Sequence, residues 1–278
     1  MEIGFLTVPL RDRPLEKVIA FAAEHGFQAL EVFAGPGSPH LDPGALTRAK
    51  AEEIKRSLKA SGVRISSLAH YANVLPAGEA ERKQAVANLE AVMEAAEMLE
   101  VDIVCTMAGM PVPGKDRLQT LSQDCPQVFR PLAKRAAKAG LKIAFENWTA
   151  TNLMNLEMWD RCFEMVPDDN VGLNFDPSHL YWQGIDYLEA VDRYAKRIFH
   201  THAKDTEVRQ HLLRRVGNQV SGWWRYVIPG YGDIDWGVYL ARLRSAGYNG
   251  VLSIEHEDGC FGPEEGLLKG QRHLAGFV

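Results

Sequence analysis

The feature that most constrains this chain is a recurrence of element type, not of letters. Eight short apolar runs rich in β-branched residues recur at 3–8, 29–33, 63–70, 101–107, 141–147, 171–176, 197–204 and 251–256. Segments with helical apolar periodicity separate them, at 15–25, 45–61, 80–99, 118–139, 156–165, 187–195 and 236–246, and a closing helix is expected near 264–274. Several junctions share one form: AAEHGFQALEV, KASGVRISSL, KAGLKIAFEN and RSAGYNGVLSIE each place Gly between a helix end and a strand. Glycine there can take the left-handed conformation that stops a helix. Strands alternating with helices of ten or more residues pair in parallel through right-handed crossovers. Eight such units in 278 residues fit a (β/α)8 barrel. The competing open, doubly wound sheet would need a GxGxxG or GxxxxGK[ST] turn after its first strand to bind a nucleotide, and neither follows. No Pro, Gly or Ser linker divides the chain, so residues 1–278 read as one domain.

In such a barrel the chemistry lies at the C-terminal strand ends and the loops after them. Four consecutive runs end in acids or imidazoles: Glu146-Asn147, Asp176-Pro177-Ser178-His179, His200-Thr201-His202-Ala203-Lys204-Asp205 and Glu255-His256-Glu257-Asp258. A single acid after a strand is usually a helix cap or a solvated charge. Closure of the barrel, however, gathers these four ends round one mouth. Converging carboxylates repel unless a cation or shared protons hold them. Three carboxylates and one imidazole, from Glu146, Asp176, His202 and Glu255, form a hard, oxygen-rich set. That set suits Mn²⁺ first, with Mg²⁺ and Co²⁺ close behind, and Zn²⁺ less well.

The pieces FEN, NFDPSH, HTHAKD, PGYGDIDW and SIEHED, together with GFQALEVF near the start, resemble the xylose isomerase-like TIM-barrel superfamily. The likeness is to its sugar isomerase and epimerase branch, with ketose 3-epimerases, hydroxypyruvate isomerases and enzymes of inositol catabolism. The resemblance implies one divalent metal on Glu146, Asp176, His202 and Glu255, with Glu146 and Glu255 also serving as the acid/base pair. It selects His202 over His200, since the ligand stands two residues before Lys204. His179 and Lys204 match residues near substrate, and Trp182, Arg225, His256 and His70 join them as candidate substrate contacts. Trp148 and Trp182 are either an apolar wall for a sugar face or plain packing at the rim.

The chemistry follows from such a set. A Lewis acid on the carbonyl and neighbouring hydroxyl of an α-hydroxy ketone stabilises a cis-enediolate once the C–H proton leaves. Return of a proton to the opposite face gives epimerisation, and return to the neighbouring carbon gives isomerisation. A lyase acting on 3-keto-glycosides needs the same metal and base, so it stands as the alternative. An abasic-site endonuclease of the same superfamily is disfavoured: the fourth run ends Cys105-Thr106-Met107-Ala108 without histidine, and no DxH follows HAKD. Charge agrees, because 31 Lys plus Arg against 36 Asp plus Glu leave −5, and no basic run offers itself to phosphates.

Four widely spaced cysteines without a CxxC pair read as reduced thiols, there is no signal peptide pattern, and no apolar run is long enough to span a membrane. The expectation is a cytoplasmic enzyme acting on a small sugar or keto-sugar, with no nucleic-acid or membrane partner and a homo-oligomer possible. A long loop at about 206–235 follows the seventh run; it is either an active-site lid or a subunit contact or disordered excursion.

Overall fold

The computed structural model describes all residues from 1 to 278. Its strands are β1 (Glu2–Leu6), β2 (Ala29–Phe33), β3 (Arg64–His70), β4 (Ile103–Met107), β5 (Lys142–Glu146), β6 (Val171–Phe175), β7 (Ile198–Ala203), β8 (Asp205–Val208), β9 (Trp224–Val227) and β10 (Val251–Ile254). Eight of them close into a barrel in the order β1-β10-β7-β6-β5-β4-β3-β2, every neighbouring pair parallel. All eight predicted runs are therefore barrel strands. The architecture is a single (β/α)8 barrel.

Alternation along each strand sends one set of side chains to the helices and the other into the barrel. The outward set, such as Phe5, Leu30, Leu68, Val104, Phe145, Leu173 and Leu252, joins one apolar layer with the helices around it. The inward apolar set is small: Leu6, Ala69, Cys105 and Ala144 form a separate buried cluster. Short side chains there leave the interior room for polar groups above them.

The predicted glycine junctions hold. Gly26, Gly62, Gly140 and Gly247 all have φ between 69° and 89°, where a Cβ would be strained. The helix Glu79–Leu99 stops without a glycine, on Glu100 at φ 58°, whose carboxylate meets Lys55 at 2.6 Å. The helix expected over 118–139 is two, Arg117–Gln123 and Cys125–Lys138. Pro126 has no N–H to continue the first helix but is at home in the first turn of the second.

The stretch expected as a long loop is ordered structure. β8 and β9 form an antiparallel ribbon outside the barrel, joined through the helix Gln210–Val216. Asp205 anchors it: the buried carboxylate accepts N–H groups from Thr206 (2.8 Å), Gly230 (3.0 Å) and Ile234 (3.1 Å) and the Trp236 indole (2.8 Å). PGYGDIDW is thus wrapped round the last residue of HTHAKD. Asp233 accepts from the Val208 amide, and Asp235 caps the helix Trp236–Ser245 through Val238. No helix is long and apolar enough to cross a membrane.

Candidate active site

Four strand ends deliver the polar cluster. Glu146 closes β5, Asp176 follows β6, His202 lies in β7 with Lys204 just beyond it, and Glu255 follows β10. His202 Nδ1 sits 3.0 Å from Glu255 Oε2, 3.7 Å from Glu146 Oε1 and 3.7 Å from Asp176 Oδ2. The structure brings these four expected ligands together. His200, one layer deeper as its spacing implied, is instead bonded to Asn174 Oδ1 (2.9 Å) and the Ser66 hydroxyl (3.0 Å).

His179 belongs to the same cluster. Its Nε2 is 3.3 Å from Glu146 Oε1 and 3.5 Å from Asp176 Oδ2. Both of its nitrogens are engaged, however, because Nδ1 meets the Tyr226 hydroxyl at 2.6 Å. His202 Nδ1 differs: it is buried and has no hydrogen-bond partner, as does Asp176 Oδ2 beside it. Neither atom has a well-formed hydrogen bond, although Lys204 Nζ lies 3.2 Å from Asp176 Oδ2 and Glu255 Oε2 lies 3.0 Å from His202 Nδ1. Ligand atoms of Glu146, Asp176, His179 and Glu255 lie close enough together to hold a metal ion, so the acids expected from the sequence converge as a metal-capable group, with His179 rather than His202 as its imidazole.

Lys204 is the cation already in place. Only 1% exposed, its Nζ lies 2.6 Å from Glu255, 3.1 Å from Glu257 and 3.2 Å from Asp176. Burial alone would lower its pKa, but these carboxylates and Glu146 hold it well above the ordinary lysine value. The same balance acts on the acids. Burial would raise Glu146 and Asp176, yet the surrounding His179, His202 and Lys204 pull both far below the usual carboxylate range. Both glutamate and aspartate are thus present as anions.

Backbone braces free these side chains. Asn147 donates from Nδ2 to the Asp176 carbonyl (2.8 Å) and accepts the Asp176 amide on Oδ1 (2.8 Å), tying FEN to NFDPSH. Asp176 Oδ1 then caps Ser178 (2.8 Å), which leaves only Oδ2 for the cluster.

Several residues of the site were absent from the sequence expectations, Glu31 the most deeply placed among them. Glu31, in the middle of β2, is completely buried beneath His202, and its two oxygens take the imidazole Nε2 at 3.1 and 3.2 Å. It also accepts from Ser253 (2.6 Å) and from the Tyr71 hydroxyl. Burial would raise this carboxyl, but the adjacent His202 and His200 and the Ser253 hydroxyl bring it to about 2. Burial would lower the His202 pKa, but Glu31 on the Nε2 side and Glu255 on the Nδ1 side hold it well above the ordinary imidazole value. The available signal was the interior position of Glu31 within GFQALEVF.

The other candidates are dispersed. The structure places Arg225 on the ribbon, its guanidinium paired with Glu207 (2.5 Å) and Asp258 (2.8 Å). His256 turns away to brace its own loop through the Gly262 carbonyl (3.2 Å) and packs on Gly266. His70 gives Nδ1 to the Ala34 carbonyl (2.9 Å). Trp182 stands behind the site, stacked on Trp224 at 4.3 Å and donating to the Tyr226 hydroxyl. Tyr226, unanticipated, carries the ribbon to the site by bonding His179 and lying under Lys204 at 4.5 Å. What lines the cavity of about 170 Å³ is Tyr71, Met107, Glu146, Trp148, His179, Lys204, Glu255 and Glu257. A larger groove of about 680 Å³ runs outside, between Trp182 and the ribbon's helix, and none of the acids of the site faces it.

Residues 19–276 match the family model for the xylose isomerase-like TIM barrel. The chain belongs to that family. It is 30% identical to YfiH of Bacillus subtilis (strain 168), over 96% of each chain. It is also 28% identical over 151 residues to the inosose dehydratase of Geobacillus thermodenitrificans (strain NG80-2), spanning 51% of this chain and about half of that enzyme's length. Among solved structures, the zinc-bound IolI protein superposes with a TM-score of 0.80 at 20% identity, covering 100% of this chain and 99% of its own. That likeness at low identity extends the fold assignment to the whole barrel.

Proposed function

We propose that this chain is a divalent-metal-dependent sugar epimerase or isomerase, moving a proton at the carbon beside a ketone. The observation that carries the reading is the convergence of two glutamates, from different sides of the barrel, on one buried cluster with Asp176 and a histidine. β5 and β10 stand three places apart round the barrel, so Glu146 and Glu255 approach the cavity from different sides. A divalent ion on Glu146, Asp176, Glu255 and a histidine, Mn²⁺ best by donor type, would polarise the carbonyl and its neighbouring hydroxyl as a Lewis acid.

The protein's own groups do the rest. Glu146 accepts the C–H proton on its face of the substrate, and Glu255, hydrogen-bonded to the Lys204 ammonium, relays a proton from it to the opposite face or to the neighbouring carbon. His179, at 3.3 Å from Glu146, orients that carboxylate, and Lys204, at 2.6 Å from Glu255, orients the other. Trp148, 37% exposed at the rim, and Met107 supply an apolar side to the cavity.

Elimination is the second reading, supported by the His179–Lys204 pair, 3.3 Å apart between the two glutamates. Such a pair can protonate a departing hydroxyl after the same C–H proton is removed, the chemistry named in the inosose dehydratase relative. A lyase acting on 3-keto-glycosides shares that proton abstraction and breaks the neighbouring C–O bond instead. NMR in D₂O with a panel of ketoses, inososes and 3-keto-glycosides separates these outcomes. Deuterium at the α-carbon with an epimeric or isomeric product is expected; an unsaturated or cleaved product identifies elimination. Chelation with EDTA should abolish either, and full activity after exhaustive chelation overturns the metal-dependent reading.

A further inference from the structure

The groove of about 680 Å³ outside the mouth takes no part in the chemistry above. One wall is the turn 181–187, with Tyr181, Trp182 and Ile185; the other is the ribbon, with Val208, Leu213 and Trp223. The ribbon's helix, Gln210–Val216, buries none of its side chains. A helix this short is marginal in water and draws its stability from packing an apolar face. From Arg214 to Gly222 every residue is exposed, including Val216 at 41% and Val220 at 52%. Apolar groove and apolar projection thus lie side by side in one patch, the mark of an interaction surface.

The two walls carry opposite charge. On the ribbon, Arg209 and Arg225 share Glu207, which leaves Arg214 and Arg215 without a carboxylate. On the facing wall, Asp186 lines the groove, and Glu189 follows it in the first turn of the helix Tyr187–Tyr194. The neighbouring cations are taken, Arg193 by Asp160 and Arg242 by Asp192, so neither acid has a basic partner.

A groove basic on one wall and acidic on the other matches no partner of uniform charge. It matches its own copy turned round. A two-fold axis over the groove lays the basic helix of each chain against the acidic wall of the other, and both charge contacts form together. Val216 and Val220 then meet the apolar floor around Trp182, Ile185 and Leu213, giving an apolar centre with a charged rim. The groove and the stretch 209–222 together have the extent of a standard interface, about 20–30 residues a side. We propose that two copies of this chain pair through this face as a two-fold dimer, the ribbon helix of each seated along the groove of the other.

Sedimentation equilibrium on the full chain tests this first. A dimer is expected above about 10 µM, weakening several-fold as salt rises from about 0.05 to 0.5 M because its rim is charged. A monomer throughout overturns the proposal. Amide hydrogen exchange on the unmodified protein locates the contact: residues 181–189 and 209–222 should exchange roughly 10-fold more slowly in the dimer than after dilution. Protection confined to another face overturns it.

Charge exchange tests the arrangement itself. Arg214→Glu with Arg215→Glu sets acids against the acidic wall, and Asp186→Asn with Glu189→Lys sets a base against the basic helix. Asparagine keeps the helix cap that Asp186 supplies to the Leu188 and Glu189 amides. Each double variant alone should be monomeric, its Kd raised about 100-fold or more. Mixed in equal amounts they should pair again, since one contact of the heterodimer has exchanged charges and the other has the native ones. Either variant pairing as tightly as the parent, or a mixture that stays monomeric, overturns the two-fold arrangement.

Discussion

The two halves of the barrel mouth use the same kinds of side chain for opposite ends. On the β1–β4 half, polar groups serve the backbone: Thr7 accepts the Phe33 amide and bonds His40, whose other nitrogen meets the Leu10 carbonyl, and His70 meets the Ala34 carbonyl. Thr106 likewise donates to the His70 carbonyl. On the β5–β10 half those tasks fall to dedicated braces, Asn147 between two loops and Asp205 beneath the ribbon. Glu146, His202 and Glu255 are thereby released to face one another. A histidine at a barrel's mouth is available for chemistry only when something else satisfies the loop around it.

The sharpest way to break that contrast is to remove the two glutamates. Glu146→Gln and Glu255→Gln keep an oxygen donor but lose the base, and each should lower kcat by about 10²–10⁴-fold while still taking up metal more weakly. Metal-saturated variants turning over near the wild-type rate would move the chemistry elsewhere in the mouth. Asp176→Asn removes a ligand instead; its loss of activity should be partly restored by excess metal, seen in a metal titration of the rate. In the parent protein, metal at about 100 times its Kd should add about 2.7 kcal/mol of stability, read as the drop in melting temperature on adding EDTA.

Glu31 tests whether the β1–β4 half truly stands apart, since it reaches across the interior to His202. Glu31→Gln can no longer hold the Nε2 proton as an anion, and metal affinity should fall about 10–100-fold by calorimetry. Unchanged affinity would separate Glu31 from the site. The smallest effect is expected for Tyr226→Phe, which removes the hydroxyl between His179 and Trp182 and costs about 0.5–1.5 kcal/mol, appearing mainly as a raised KM. By contrast, Thr106→Val on the bracing half should lower melting temperature without altering KM.

Most of the scaffold was legible because barrel strands are marked twice, by apolar character and by the glycine that ends the preceding helix. The convergence of Glu146, Asp176, His202 and Glu255 at one mouth was legible for a related reason: each ends an apolar run, and closure fixes which way a strand end faces. Arg225, His256 and His70 fail that rule. Their neighbours in sequence are in the site, but Arg225 is paired on the ribbon, His256 is turned by the Gly262 carbonyl, and His70 is held by Ala34. Pro126 shows the same limit on the scaffold, splitting one long apolar period into two helices.

The sequence by itself thus determined the barrel, its repeating units and the carboxylate–imidazole set at one mouth, because period, turn residues and strand direction are local properties. The tertiary structure decided the rest. Glu31 under His202, Tyr226 on His179 and the ring of acids round Lys204 each join residues 25 or more positions apart. Their meeting depends on barrel closure and on how the ribbon folds back, and no run of neighbouring residues encodes either.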